Sequence, residues 1–170
     1  TDSMMEDEII VTASRVGEKT PLTYSEVTSN ELKKSNQGTD LPFLLQNTPS
    51  VIVSSDAGAG VGYTSMRVRG SDLTRINVTL NGVPINDAES SLVYFVDLPD
   101  LASSVDNIQI QRGVGNSSNG AAAFGASINI KTDEQTTEPF ARLSSSAGSF
   151  NTLKNTLNFS TGRNSNGDRK

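Results

Sequence analysis

The chain has 170 residues, a net charge of −5 from 14 basic and 19 acidic residues, and neither cysteine nor histidine. This length suits one domain of ordinary size with a short appendage. Without those two residue types, these residues offer no disulfide, no thiolate or imidazole metal ligand and no histidine base. No basic stripe points to nucleic acid, and the longest apolar run, 92–96, is too short for a membrane helix. We therefore expect a strand-and-loop protein that is not an enzyme and holds no cofactor.

The first predicted element is a strand at 6–13, an acidic opening followed by β-branched residues. The polar residues 14–21, broken by glycine and proline, look like a tether rather than a return strand. The strand therefore has no sequential partner. It is either an ordinary first strand of the domain or a strand kept for the sheet edge of another protein.

A strand at 22–27 and two short helices come next. The first helix has Ser29 or Asn30 as its predicted N-cap, and the second has Thr39 or Asp40, with proline in its first turn. A buried strand at 51–53 then leads into a glycine-containing polar loop that ends at Tyr63. Loops of this length often carry function.

The next strand, 65–69, alternates so that Arg67 and Arg69 are expected on one face. The pair Asn81-Gly82 between two β-prone runs predicts a tight hairpin. A second polar loop, 86–91, follows it.

The last strands of the domain are predicted at 105–112 and 127–131, after a single helical turn at 97–102. The compact domain should end near Asp133. Beyond it, two strands within 139–162 are apolar on one face and polar on the other, each about the length of a transmembrane β-strand.

Residues in three loops suggest other chemistries. Gly58, Gly60 and Gly62 suggest a dinucleotide site, but a strand rather than a helix follows them. The loop 115–120 has the glycine spacing of a phosphate loop and lacks its lysine. The acidic residues of 87–89 match no complete calcium loop.

Five segments, taken in order, resemble the plug domain of TonB-dependent outer-membrane receptors. They are Asp7–Ala13, Met66–Gly70, Leu80–Pro84, Ile108–Gly113 and Ala123–Ile130. The resemblance covers roughly residues 6–133, and residues 139–162 resemble the first two barrel strands of such receptors.

The resemblance implies an α+β fold: a globular plug with a small mixed sheet and short helices, followed by two antiparallel strands of a transmembrane β-barrel. It divides the chain into a TonB-box segment and tether at 1–20, a plug at 21–133, and a linker with barrel strands at 134–170. In that family the plug fills a 22-stranded barrel. The remaining strands would lie further along this chain or on a separate one.

The resemblance also implies an outer-membrane location, import energised by TonB, and a siderophore-like or vitamin-like ligand. The periplasmic C-terminal domain of TonB would bind residues of the box: Asp7, Glu8, Ile9, Ile10, Val11, Thr12 and Ala13. Arg67, Arg69 and Arg112 would anchor the plug to the barrel. Ligand contacts would come from Tyr63, Asn86, Asp87, Glu89 and Tyr94.

Two other classes of protein share parts of this pattern. A secreted or surface calcium-dependent adhesin fragment would also be rich in glycine, serine, asparagine and short strands. A small dinucleotide enzyme is disfavoured by the glycine spacing and by the absence of histidine and cysteine.

Overall fold

The computed structural model describes residues 23–114, 123–133, 138–149 and 151–162. The predicted TonB-box residues, Asp7–Ala13, lie outside these ranges, as does the loop 115–120. None of the helices in the described ranges is long and apolar enough to cross a membrane.

A short strand passes directly into the first helix. Strand β1 is Tyr24–Thr28 and helix α1 is Ser29–Ser35. The N-cap is Thr28, not the predicted Ser29 or Asn30, and it forms a capping box with Glu31. The Thr28 backbone N–H donates to Glu31 Oε2 at 2.8 Å, which satisfies one of the free donors at the helix start. Helix α2, Leu41–Leu44, begins after Asp40 as predicted.

A five-stranded mixed sheet forms the centre of the domain. Its further strands are β4 (Ile76–Leu80), β5 (Val83–Pro84), β6 (Val105–Arg112) and β7 (Ala126–Thr132), in the order β1-β6-β7-β4-β5. Strands β4 and β7 are parallel, and the other neighbours are antiparallel. The predicted hairpin between β4 and β5 is confirmed, with positive φ at both Asn81 and Gly82, the geometry that favours this residue pair.

One face of this sheet is apolar and forms the core. Its six central side chains are at most 2% exposed: Ile76, Val78, Ile108, Ile110, Ile128 and Ile130. Leu32 of α1 and Leu45 after α2 are fully buried in the same cluster. Full burial of such a side chain contributes about 1.5–3 kcal/mol, so the burial of this face stabilises the domain.

The opposite face of the same strands is polar, and it is also buried. Its members are Asn77, Thr79, Gln109, Gln111, Ser127 and Asn129. Most buried polar groups have hydrogen-bond partners, although Asn77 Oδ1 and Ser127 Oγ have none among the residues that the structure describes. Thr79 Oγ1 donates to Asn129 Oδ1 at 2.7 Å across the parallel pair. The sheet therefore holds a polar layer as well as an apolar one.

A separate hairpin carries the first predicted loop. Strands β2 (Val51–Ser55) and β3 (Thr64–Val68) pair antiparallel. The prediction that β3 continues through Arg69 is wrong, because Arg69 has a φ of 51° and lies in the turn that follows. The alternation that would place Arg67 and Arg69 on one face therefore stops at Val68.

The two strands after the domain pair as predicted. Strand β8 is Phe140–Gly148 and strand β9 is Thr152–Ser160, and they form an antiparallel hairpin with Leu143 opposite Leu157. Their apolar side chains are exposed, whereas the polar side chains of β9 at alternate positions are half-buried. The hairpin therefore presents its apolar face outward.

The expected helical turn at 97–102 is split in two. One 3₁₀ turn spans Phe95–Asp97 and another spans Leu101–Ser104, and Asp100 between them adopts a left-handed φ of 54°. The prediction placed a helix where the chain makes two tight turns around a left-handed residue.

Candidate functional site

An open depression lies between the two polar loops of the domain. It has a volume of about 170 Å³. The β2–β3 loop and the start of β3 supply Asp56, Gly62, Tyr63, Thr64 and Ser65. The segment that leads into the 3₁₀ turn Phe95–Asp97, together with the start of that turn, supplies Leu92, Val93, Tyr94, Phe95 and Val96. The structure thus brings together Tyr63 and Tyr94, two of the predicted ligand contacts.

Two tyrosines dominate the exposed surface of this depression. The side chains of Tyr63 and Tyr94 are 69% and 43% exposed, while Val93 and Phe95 beside them are buried. Phenol rings offer a flat apolar face together with a hydroxyl that donates or accepts. Asp56 adds a carboxylate at the rim. The arrangement suits a ligand that has both ring-like and polar parts.

Asn86, another predicted ligand contact, holds the second loop in place. Its Oδ1 accepts from Val78 N at 2.8 Å, and its Nδ2 donates to Ile76 O and Ser91 O at 2.9 Å each. Both ends of the amide are thus bonded to the backbone. They replace hydrogen bonds that a longer β5 would make to β4. Its described contacts are structural.

Asp87 likewise organises the loop. Its Oδ1 accepts from Ser90 N and Ser90 Oγ at 2.7 Å each and from Glu89 N at 3.1 Å. The Ser90 backbone bond, followed by the Ser90 hydroxyl, holds the pKa of Asp87 below its usual 3.8. Glu89 is exposed on the same loop. Tyr94 is tied to this turn because its hydroxyl donates to Ser90 Oγ at 3.3 Å.

The glycine loop is fixed by packing against α2. Asp40 N donates to Gly60 O at 2.8 Å, and Thr64 Oγ1 donates to Asp40 Oδ2 at 3.0 Å. Gly60 has a φ of +74°, and a Cβ there would lie 3.2 Å from the Phe43 ring. Because the loop joins two antiparallel strands, it does not have the strand-to-helix geometry of a dinucleotide site.

Of the three predicted anchoring arginines, Arg67 is exposed on the outer face of β3, opposite Ile52. Arg69, in the turn, points to the end of β6, with its Nη1 donating to Arg112 O at 3.5 Å. Arg67 therefore projects from strand β3 and Arg69 from the turn after it, so the two guanidiniums do not share one strand face.

Arg112 is bonded to β1 and to the turn before β2. Its Nη1 donates to Ser25 Oγ at 2.7 Å and to Pro49 O at 3.3 Å, and its Nη2 lies 3.5 Å from Tyr24 O. A guanidinium has five N–H donors in a rigid fork, so one side chain can join three segments. Arg112 thus ties the edge of the sheet to the α2–β2 connection.

Within the described ranges, no group of three or more acidic residues is close enough together to hold a metal ion.

The family model described as the TonB-dependent receptor plug domain matches residues 17–127. The chain belongs to this plug family.

Solved structures of two receptors and of a copper transporter share the fold of this plug. The ferripyoverdine receptor of Pseudomonas aeruginosa matches over 93% of this chain and 20% of its own, with 21% identity and a TM-score of 0.66. The ferric yersiniabactin uptake receptor FyuA of Yersinia pestis matches over 91% and 23%, with 18% identity and the same TM-score. The copper transporter OprC matches over 80% and 21%, with 17% identity and a TM-score of 0.59.

These likenesses establish the α+β plug fold. The chain spans about a fifth of the length of the receptors it matches. The comparison with curated protein sequences finds no match.

The plug structure also shows contacts that the sequence reasoning missed. Lys154 of β9 reaches Asp100 in the plug, with Nζ and Oδ1 2.6 Å apart. Alternation along the strand does predict that Lys154 lies on its polar face. Nothing in the sequence indicates which plug residue would meet it, because the two are 54 residues apart.

Proposed function

We propose that this chain is the plug and first two barrel strands of a TonB-dependent outer-membrane receptor, which gates the energy-coupled uptake of a scarce ligand. Residues 1–20 form the TonB box and tether, 21–133 the plug, and 134–170 the linker and first barrel hairpin. A ligand arrives from outside, and TonB pulls on the box from the periplasm to displace the plug.

One observation carries the proposal. A plug-family domain is followed directly by the β8–β9 hairpin, whose apolar side chains Leu143, Leu153, Leu157 and Phe159 are 63–76% exposed. In water such a face is a liability, but lipid-facing strands of outer-membrane barrels alternate in this way, with apolar residues outward and polar residues inward. Strands of nine residues match the length that a tilted membrane strand needs.

The ligand-facing site is the depression that contains Tyr63 and Tyr94. Ligand sites usually enclose about 300–1,000 Å³, whereas this depression has only about 170 Å³. Extracellular loops and the barrel wall would supply the remaining walls. Glu89 can reach a ligand from its exposed position, while Asn86 and Asp87 shape the loop that presents it.

The fold relatives support the proposed ligand class. One receptor with this plug fold binds ferripyoverdine, another is an uptake receptor for ferric yersiniabactin, and OprC is a copper transporter. A siderophore-like or vitamin-like molecule has the mixed ring and polar character that the tyrosine-lined surface suits.

The box acts by adding a strand to the sheet of the TonB C-terminal domain. Main-chain hydrogen bonds supply affinity in this mode, so Asp7–Ala13 needs extended backbone more than particular side chains. Arg67, with its exposed guanidinium, is placed to pair with an acidic residue of the inner barrel wall. Arg69 and Arg112, whose side chains lie near the end of β6, would also help to anchor the plug to the barrel wall.

The test is Ile10→Pro in the full receptor, with Ile10→Val as its matched control. Proline removes an N–H and disfavours paired extended backbone, whereas valine keeps the β-propensity. In cells that lack other receptors for the same ligands, we expect uptake of ferric pyoverdine, ferric yersiniabactin or cobalamin to be lost in Ile10→Pro. Binding of the same ligand at the cell surface should persist.

Normal uptake and normal binding of the TonB C-terminal domain by Ile10→Pro would show that the box is misassigned. Equal loss in both variants would show that Ile10 acts through its side chain. If the unmodified receptor takes up none of the three ligands, the proposed ligand class is wrong.

A further inference from the structure

The Lys154 side chain connects the β8–β9 hairpin with the plug through three hydrogen bonds. Its Nζ lies 2.6 Å from Asp100 Oδ1, 2.7 Å from Asn36 Oδ1 and 3.1 Å from Ser103 Oγ. An ammonium group has three N–H donors. Each donor therefore has an acceptor, and all three acceptors belong to the plug.

The three acceptors are also bonded to one another. Ser103 Oγ donates to Asp100 Oδ1 at 2.6 Å, and Asn36 Nδ2 donates to Ser103 Oγ at 3.1 Å and lies 3.4 Å from Asp100 Oδ1. Asn36 is the C-cap of α1, Asp100 is the N-cap of the 3₁₀ turn Leu101–Ser104, and Ser103 lies within that turn. We call this group of three side chains the receptacle.

Asp100 has an unusual backbone conformation, and its carboxylate lies within the receptacle. A left-handed φ in a residue other than glycine costs free energy and persists only where surrounding contacts hold it. Asp100 has a φ of 54°, and its carboxylate accepts from Lys154, Ser103 and Asn36. The hydrogen bonds of the receptacle and Lys154 supply contacts of that kind.

The surroundings of the Asp100 carboxylate favour its ionised form, and therefore an ion pair with Lys154. Partial burial by itself would raise the pKa of Asp100, but hydrogen bonds from Lys154 and Ser103, with the Lys154 charge, bring it below the usual 3.8. The Lys154 side chain is only 15% exposed. An isolated surface ion pair contributes little, whereas a pair within a hydrogen-bonded network of fixed geometry contributes more.

The contact also depends on which face of the hairpin is turned toward the plug. Lys154 lies on the half-buried side of β9, while the neighbouring Leu153 is exposed on the other side. A Cβ built on Gly38 would lie 3.7 Å from Lys154 Cδ. The aliphatic stem of the lysine therefore passes along the α1–α2 connection before its ammonium reaches the receptacle.

We propose that Lys154 is a positioning residue, and that with Asn36, Asp100 and Ser103 it forms a latch that fixes the first barrel hairpin against the plug. The latch lies on elements other than those that line the ligand-facing depression, and it uses none of the arginines predicted as anchors. Displacement of the plug past this strand must break all three bonds of the ammonium group. The latch can be tested without ligand or TonB, so a failure of the transport proposal would leave it standing.

The test is hydrogen exchange, measured by mass spectrometry on the full-length chain in detergent micelles. Lys154→Met keeps the stem and removes the charge, and Lys33→Met on the exposed side of α1 is the matched control. We expect the amides of Asn36, Gly38 and Ser103 to exchange about tenfold faster in Lys154→Met. They should be unchanged in Lys33→Met, and Lys154→Arg should restore most of the protection.

A double-mutant cycle with Asp100→Asn decides whether the two residues act together. If they form one latch, the double variant Lys154→Met with Asp100→Asn exchanges no faster than the faster single variant. Additive effects, of about a hundredfold together, would overturn the latch. So would wild-type exchange in Lys154→Met, or a rise that extends equally to the amides of Ile110 and Ile128 in the sheet.

Discussion

Apolar and polar side chains alternate along the strands of both the five-stranded sheet and the β8–β9 hairpin, but the apolar side chains face inward in the sheet and outward in the hairpin. In the sheet, Ile110 and Ile128 are buried against helices and the chain hides its apolar face. In the hairpin, Leu143 and Leu157 form a cross-strand pair that is exposed. The sequence pattern of both regions is period two.

The difference shows that amphipathicity alone does not say which face of a strand points outward. The surrounding medium decides, because apolar side chains turn away from water and toward any apolar phase. In the sheet that phase is the protein core. For the hairpin, we propose that it is lipid. The polar side of β9 then faces the plug, where Lys154 finds its acceptors.

The largest effect that sharpens the comparison is expected from truncating one residue in each region. Ile110→Ala should lower the free energy of unfolding of the plug by about 2–5 kcal/mol, because it removes buried methyl groups and leaves a cavity. Leu157→Ala should change it by less than about 0.5 kcal/mol. Hydrogen exchange of the β6 and β7 amides in the full chain measures both. Comparable losses in the two variants would mean that the hairpin belongs to the plug core.

A somewhat smaller effect is expected from placing a charge on each face of the hairpin. Leu157→Arg should lower the free energy of unfolding of the barrel from the membrane by about 2–4 kcal/mol if the residue lies near the bilayer midplane. Ser144→Arg, on the opposite face, should have little effect because that face lines the lumen in the proposed orientation. Urea unfolding from lipid vesicles, followed by the mobility shift of folded barrels on gels, compares the two. A stronger loss in Ser144→Arg would reverse the proposed orientation.

The smallest expected effect concerns acid stability of the plug. The Thr28 backbone and hydroxyl hydrogen bonds hold the pKa of Glu31 below its usual 4.5. The unfolded chain therefore takes up this proton first, so the stabilisation is complete above pH 4.5 and is lost as the pH falls through the lowered value. Glu31→Gln should flatten this part of the pH dependence of unfolding. Glu89→Gln, on the exposed loop, serves as its control, and an equal flattening there would contradict the assignment.

Local elements of the plug were predictable where a few neighbouring residues decide the structure. Asn81-Gly82 predicts its hairpin because both residues tolerate positive φ. The capping box was also present in the sequence as Thr28 and Glu31, but the strand was predicted to end at 27 and the N-cap to be Ser29 or Asn30, whereas Thr28 is both the last residue of β1 and the N-cap of α1. Here the helix signal and the strand signal overlapped by one residue.

Features that depend on distant residues were not predictable. Asn86 is polar and lies in a loop, which led to its prediction as a ligand contact, but its role in replacing missing strand pairing next to β4 was not predicted. Alternation along β4 and β6 places Asn77 and Gln109 on a polar face that would normally be solvated, but both are buried. The Lys154 latch joins three separate segments, and no local pattern signals such a meeting.

The strand order has a mechanical consequence for how the plug resists tension. The register of β1 with β6, and of β6 with β7, makes β1 and β7 run in the same direction. The chain reaches β1 at Tyr24 and leaves β7 at Thr132, and these two points lie at opposite ends of the sheet. In the proposed mechanism, a pull on the N-terminal tether that the barrel resists therefore acts along the strands. It loads the ladder of hydrogen bonds in shear, all together, rather than peeling them apart one by one.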